Sequence, residues 1–313
     1  MLGKTAGGLF WMARYLERSE NTTRLIDAGF RIALTRSAAA RNEWASVVTT
    51  TGAESAFHEH YDEYTAANVV DFLLRDRTNP SSVMSAVEAA RNNARLVRTA
   101  LTREVWEATN ECWITLKAHL QRPVAERDLP DTLDLIRQQS SLVRGAMHGT
   151  MLRNEIYDFV RIGTFIERAD NTARILDVKY YVLLPSIAQV GSQLDNVQWE
   201  TILRSVSAYR SYRWLYNGEI TPAGIANFLI FDRRMPRSLR FAYGKISENL
   251  KFLIEDHGAE MICGNLVDAQ VANLDHRTIE SLLETGLHEF LADFLRKNAE
   301  LAGQIERDFR FYK

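Results

Sequence analysis

Two stretches of the chain repeat one pattern of carboxylates, guanidiniums and an amide. Glu17, Arg18, Asn21 and Arg24 lie within Tyr15–Asp27, and Glu167, Arg168, Asn171 and Arg174 lie within Phe165–Asp177. Glu, Arg, Asn, Thr, Arg and Asp recur identically, 150 residues apart (Glu17 to Glu167). A carboxylate can act as general acid or base, so Glu17 and Glu167 are the candidate catalytic groups. An arginine fork holds a carboxylate or phosphate through two parallel hydrogen bonds. That makes Arg18, Arg24, Arg168 and Arg174, with the amides Asn21 and Asn171, candidates for a substrate-binding or structural polar network. On a helix, Glu17, Asn21 and Arg24 fall within about 60° of one another along about 10 Å of axis. Apolar or small residues bracket this stripe: Phe10, Ala13 and Ala28 in the first stretch, Val160, Gly163, Val178 and Tyr181 in the second. A solvated face has no reason to be apolar at both ends. Asn and Thr are also poor mid-helix residues that tend to bond elsewhere. The pattern predicts partly buried stripes that meet, with Glu of one copy reaching Arg of the other. Such a network either locks the register of packing or lines a cleft that binds a charged substrate or positions an acid or base.

The elements that would carry these groups are helices. Ala, Leu, Arg and Glu dominate long stretches punctuated by only six prolines, and these are strong helix formers. Apolar residues recur near a period of 3.6, as in Val83, Val87, Ala90, Ala94, Val97 and Leu101, and again from Leu282 to Leu295. Alternating strand patterns are absent, so the chain is read as all-α. A second pair of segments supports an internal repeat. Phe72–Ser82, with Asp76 and Arg77, matches Phe228–Ser238, with Asp232 and Arg233. Trp44 and Trp199 correspond, as do Asn93 and Asn249. Asp76, Arg77, Asp232 and Arg233 precede a proline, so they belong to turns that open a helix at Ser82 or Ser238, and they join the candidate network. We read a tandem duplication, residues 1–150 and 151–313. The period is too long for a solenoid, so both halves are expected to form one bundle with an internal pseudo-twofold. Residues 184–198 read as a connecting loop.

These residues carry a resemblance. The opening Leu9–Arg24, the stretch Ser207–Arg213 and the Phe-Leu-x-x-Asp-x-x-x-Pro-Arg-Ser segment at 228–238 resemble the bacterial alpha-E family, named for its helices and Glu-Arg motif. The resemblance implies an all-helical protein of unestablished biochemistry, found alongside circularly permuted ATP-grasp ligases and transglutaminase-like proteins. It implies those two as partners and peptide ligation or modification as the theme. The leading expectation is an accessory protein of such a system. An enzyme using the motif carboxylates, or a purely structural scaffold, are the alternatives.

Other signals exclude more than they suggest. With 38 basic and 40 acidic side chains the net charge is −2, which argues against coating nucleic acid. Cys112 and Cys263 are isolated, so neither a disulfide framework nor a cysteine zinc site is expected. His58 and His60 would diverge by about 200° on a helix, which leaves no metal site. Gly3-Lys4-Thr5 lacks the upstream glycine of a phosphate loop, and no cofactor is expected. Tyr209, Tyr212 and Tyr216 read as one packed helix face, with a weaker alternative of peptide or base stacking. With no apolar run long enough to span a membrane and no signal-peptide core, a cytoplasmic protein is expected.

Overall fold

The computed structural model describes residues 1–35, 40–183, 193–217, 220–258 and 260–312. Among them it has fifteen α-helices and no strand. In chain order they are α1 (Gly3–Thr35), α2 (Ala40–Thr51), α3 (Glu54–His58), α4 (Ala66–Leu74), α5 (Val83–Leu96), α6 (Arg103–His119), α7 (Leu129–Thr150) and α8 (Glu155–Leu183). Then follow α9 (Gln193–Ser205), α10 (Tyr209–Leu215), α11 (Pro222–Phe231), α12 (Leu239–His257), α13 (Ile262–His276), α14 (Ile279–Thr285) and α15 (Leu287–Asp308).

Hydroxyl caps set where these helices begin. The side chains of Thr65, Ser82, Thr102, Thr221, Ser238 and Thr278 each accept a hydrogen bond from the backbone N–H three residues on. Each satisfies one of the orphan donors of a first turn. Pro130 and Pro222 sit in first turns, where no N–H is needed. Pro80 and Pro236 stand two residues before the caps Ser82 and Ser238, as the sequence predicts.

Packing organises around α1 and α8. These long helices run parallel: the Met1 amino group meets Glu155 at 3.2 Å, Phe10 lies on Gly163, and Glu17 meets Arg168. Around α1 the helices α5, α6 and α7 close a ring, each touching the next and α7 returning to α1. Around α8 the helices α12, α13 and α15 close another in the same way. The two four-helix groups share the α1–α8 seam, with α2 and α9 laid against both long helices. Val83, Val87, Ala90, Ala94 and Val97 are all buried between α5 and its neighbours.

Two expectations need correction. Residues 193–198 are helical, forming the first turns of α9, while 184–192 lie outside the described residues. The apolar run from Leu282 to Leu295 is not continuous. Gly286, at φ +102°, ends α14 and starts α15, and Leu283 is left exposed. Among the described residues no helix is long and apolar enough to cross a membrane.

The seam requires Gly163. A Cβ there would stand 2.4 Å from the backbone oxygen of Phe10, which cannot swing aside as a side chain could. Gly163→Ala should therefore cost about 1–3 kcal/mol through overpacking. Gly145, exposed on α7 with nothing near its missing Cβ, should do the opposite, Gly145→Ala stabilising by about 0.5–1 kcal/mol. Thermal melts of the two variants against the parent check both signs.

Candidate functional site

The polar stripes of α1 and α8 face each other and exchange partners. Arg168 donates to both oxygens of Glu17, at 2.8 and 2.9 Å. Arg18 donates to both oxygens of Glu167, at 2.6 and 3.0 Å, and Arg14 adds a third bond at 3.0 Å. The side-chain amide of Asn21 donates to the backbone oxygen of Glu167 at 3.2 Å. Each Glu-Arg dipeptide thus supplies a carboxylate to one fork and a guanidinium to the other.

A second layer surrounds the first. Buried Glu20 accepts from Arg24 on its own helix, from Arg144 of α7 at 2.5 Å and from Arg237 at 2.5 Å. Arg237 also reaches Asn21 at 3.2 Å and Glu17 at 3.3 Å. Arg24 extends to the Ser205 carbonyl and the Ser207 hydroxyl. On α8, Arg174 pairs with Asp170 at 2.7 Å and reaches the Thr50 carbonyl at 2.9 Å.

This electrostatics decides what the motif carboxylates can do. Burial alone would push the Glu167 carboxyl up, but the charges of Arg18 and Arg14 overcome it and hold the group down to about 2. Glu17 follows the same balance, with burial outweighed by Arg168 and Arg237, and lies below the usual range. Both are anions at any physiological pH. A general acid near neutrality needs a raised value, which neither has.

The structure brings Glu17, Arg18, Asn21, Arg24, Glu167 and Arg168 into one network, with Asn171 and Arg174 at its edge. It does not bring in Asp76, Arg77, Asp232 or Arg233. The expectation that these turns supply the network's charge is corrected: Asp76 and Asp232 bond their own turn backbones at Thr78, Arg234 and Met235, while exposed Arg77 pairs with Glu88 and exposed Arg233 with Asp275. The turn guanidinium that enters is Arg237, four residues later. Arg14, Arg144 and Arg237 are the members that sequence reasoning left out, while Glu20 and Asp170 stood in it only as i,i+4 partners of Arg24 and Arg174. Only Arg237 had a signal, as an arginine standing where the matching turn has Ser81. Tyr212 is buried and stacks on Tyr216, while Arg210 and Arg213 stay outside. Burial pushes the Cys112 thiol up to about 12 and raises that of Cys263 as well, leaving both inert. Among the described residues no group of three possible metal ligands occurs.

Among the described residues, two sizeable cavities adjoin α8. One, of about 290 Å³, is bounded by Arg14, Arg18, Ser81, Glu167, Asp170 and Asn171. Asn171 is 3% exposed, and neither its amide oxygen nor its nitrogen has a hydrogen-bond partner. The other, of about 530 Å³, lies between α8 and α12. Its Asp158 is 7% exposed and pushed up to about 6, chiefly by burial and then by the charges of Asp256 and Glu248. Arg153 and Arg161 stack on the nearby Tyr157 and Phe165 rings.

Breaking a buried pair by removing one partner costs about 3–5 kcal/mol, and Glu17→Gln should lose that much in a thermal melt near pH 7. Because the Glu167 carboxyl is lowered from 4.5 to about 2, its contribution is present above pH 4.5 and lost as pH falls through 2. The stability gap between the parent and Glu167→Gln should close over that window. Asp158 runs the other way. Raised from 3.8 to about 6, it favours the folded state below pH 3.8 and loses that favour as pH rises through 6. Asp158→Asn should accordingly gain melting temperature over the parent from pH 4 to 6 and level off above.

The fold and the paired Glu-Arg dipeptides agree with what comparison with known proteins finds. The family model Alpha-E, described as a predicted alpha-helical domain with a conserved ER motif, matches residues 1–309. The uncharacterized protein Mb2597 of Mycobacterium bovis is 26% identical over 325 aligned positions, covering 96% of this chain and 35% of the relative's length. The uncharacterized protein Rv2567 of Mycobacterium tuberculosis is 25% identical over the same shares. The chain therefore spans about a third of the curated relatives it matches. No solved structure matches. A family match running from the first residue to within four of the last settles the kinship: the chain belongs to the Alpha-E family.

Proposed function

We propose that this chain is a binding partner, without chemistry of its own, in an ATP-grasp-linked system of peptide ligation or modification. Its cleft beside Glu167 would hold a charged peptide segment for a separate enzyme. The observation that carries this reading is the state of the motif carboxylates. Each is clamped in a two-bond arginine fork and held as an anion, so neither is free to move a proton. The cleft has walls of both charges and a buried amide free to donate and accept, features that recognise a ligand.

Two further observations support a module that works beside other proteins. In the mycobacterial relatives the matching segment is about a third of a longer chain, which suits a unit that works joined to other segments. The circularly permuted ATP-grasp ligase and transglutaminase-like partner follow from the family resemblance, and ATP-dependent ligation would place the system in the cytoplasm. We read the two four-helix groups as copies of one unit, residues 1–150 and 151–313, about an approximate twofold along the seam. The exchanged Glu17–Arg168 and Glu167–Arg18 forks support that reading. If the chain is instead an enzyme, the group best suited to acid–base work near neutral pH is Asp158 rather than Glu17 or Glu167.

Co-expression with an ATP-grasp ligase and a transglutaminase-like protein of the same genome tests the partner reading. A complex that survives gel filtration is the expected result. Separate elution of all three proteins, or ligase turnover indifferent to this chain, would overturn it.

A further inference from the structure

The network is completed on one side of the seam and one guanidinium short on the other. Two turns lead into α5 and α12, and each is held by the same bonds. Thr22 of α1 donates to the Ser81 carbonyl at 3.4 Å, and Thr172 of α8 donates to the Arg237 carbonyl at 2.8 Å. The next residue in each case, Ser82 or Ser238, caps the helix that follows. Ser81 and Arg237 therefore occupy equivalent backbone positions, one beside each long helix.

Their side chains differ in reach. Arg237, anchored beside α8, crosses the seam to α1 and bonds Glu20, Asn21 and Glu17. The equivalent trio on α8 is Asp170, Asn171 and Glu167, across from Ser81. Ser81 ends in a hydroxymethyl group, and the cavity of about 290 Å³ lies where a longer side chain would run. In the completed side, the Asn21 oxygen accepts from Arg237 and its nitrogen donates to the Glu167 carbonyl. In the open side, both polar atoms of buried Asn171 are unbonded. The charge count agrees. Glu17 and Glu20 are met by four guanidiniums, those of Arg24, Arg144, Arg168 and Arg237. Glu167 and Asp170 are met by three, those of Arg14, Arg18 and Arg174.

We propose that this cleft binds a guanidinium group, the side chain of an arginine in a peptide, in the place that Arg237 fills across the seam. The proposal rests on the binding-cleft reading above and names its ligand. A guanidinium offers five donors in a planar fork and gives up water readily. It would donate to the Asn171 oxygen and to the carboxylates of Asp170 and Glu167. An anionic ligand would compete with those two carboxylates for arginines already paired to them and would leave the Asn171 oxygen without a donor.

The test is fluorescence polarisation with three labelled tripeptides, Gly-Arg-Gly, Gly-citrulline-Gly and Gly-Asp-Gly, on the intact chain. Citrulline keeps the shape of arginine without the charge. The arginine peptide should bind at least tenfold more tightly than either of the others. Ser81→Arg places an internal guanidinium in the cleft and should abolish that binding without lowering the melting temperature. Asn171→Leu, which need not add charge, should weaken it at least tenfold. Equal binding of the arginine and citrulline peptides, or tighter binding of the aspartate peptide, overturns the guanidinium assignment and leaves the cleft as a binding site. Binding by none of the three overturns both.

Discussion

Burying a carboxylate is tolerable only where a cation with fixed geometry meets it, and this condition governs how α1 sits against α8. Glu17 and Glu167 are both withdrawn from water, and each finds its main partner on the other helix. Sliding one helix by a single residue, about 1.5 Å with a turn of about 100°, would break both forks at once and strand two anions. The alternative registers that an apolar seam would tolerate are therefore excluded. Gly163 permits the approach, since any larger residue would hold the backbones apart where the forks must close. The remaining helices then have a fixed pair of rods to pack against. The forks are weak evidence for stability as such, because desolvation offsets much of their attraction. Their contribution is a unique arrangement.

The same condition limits chemistry at the motif. A chain with a net charge of −2 gathers seven guanidiniums around four carboxylates at the seam, and the local excess of positive charge keeps Glu17, Glu20 and Glu167 ionised. Arg237 carries the cost. Burial, and then its neighbour Arg24, pull its own value down to about 9. Carboxylates held in this way have no loosely held proton to give. A carboxyl held at about 6, Asp158, stands in a different cavity, raised by burial and by the charges of Asp256 and Glu248 although Arg153 and Arg161 line the same walls.

Much of this was legible in the sequence, and what was not has identifiable causes. The helices followed from period and caps. The stripe followed from Glu, Asn and Arg at helical spacing between apolar ends, and its burial from residues that would be costly on an open face. The Glu20–Arg24 and Asp170–Arg174 pairs are local and could be read off directly. Arg144 and Arg237 could not, because they meet Glu20 from 124 and 217 residues away. Arg77 and Arg233 looked equally suited to the network, and only the path of the turn backbone shows that they point elsewhere. The identity of Asn21 and Asn171 hid a difference: both polar ends of one are bonded and neither of the other, and for the oxygens that difference lies in Arg237 and Ser81 on other elements. Gly286 divided an apolar run whose period gave no warning, since periodicity records a face and not the continuity of the helix bearing it.

The distance along the chain between the two halves of the seam also bears on how the molecule is made. α1 ends at Thr35 and α8 starts at Glu155, with α2 to α7 between them. During synthesis the α1 stripe therefore waits, facing water, while six further helices emerge. An apolar stripe in that position would invite aggregation of the nascent chain. A stripe of Glu, Asn and Arg is well hydrated until its partner arrives, and loses its water only when α8 docks. The seam is thus soluble while open and selective when closed, which lets a long-range interface form late without exposing a sticky surface beforehand.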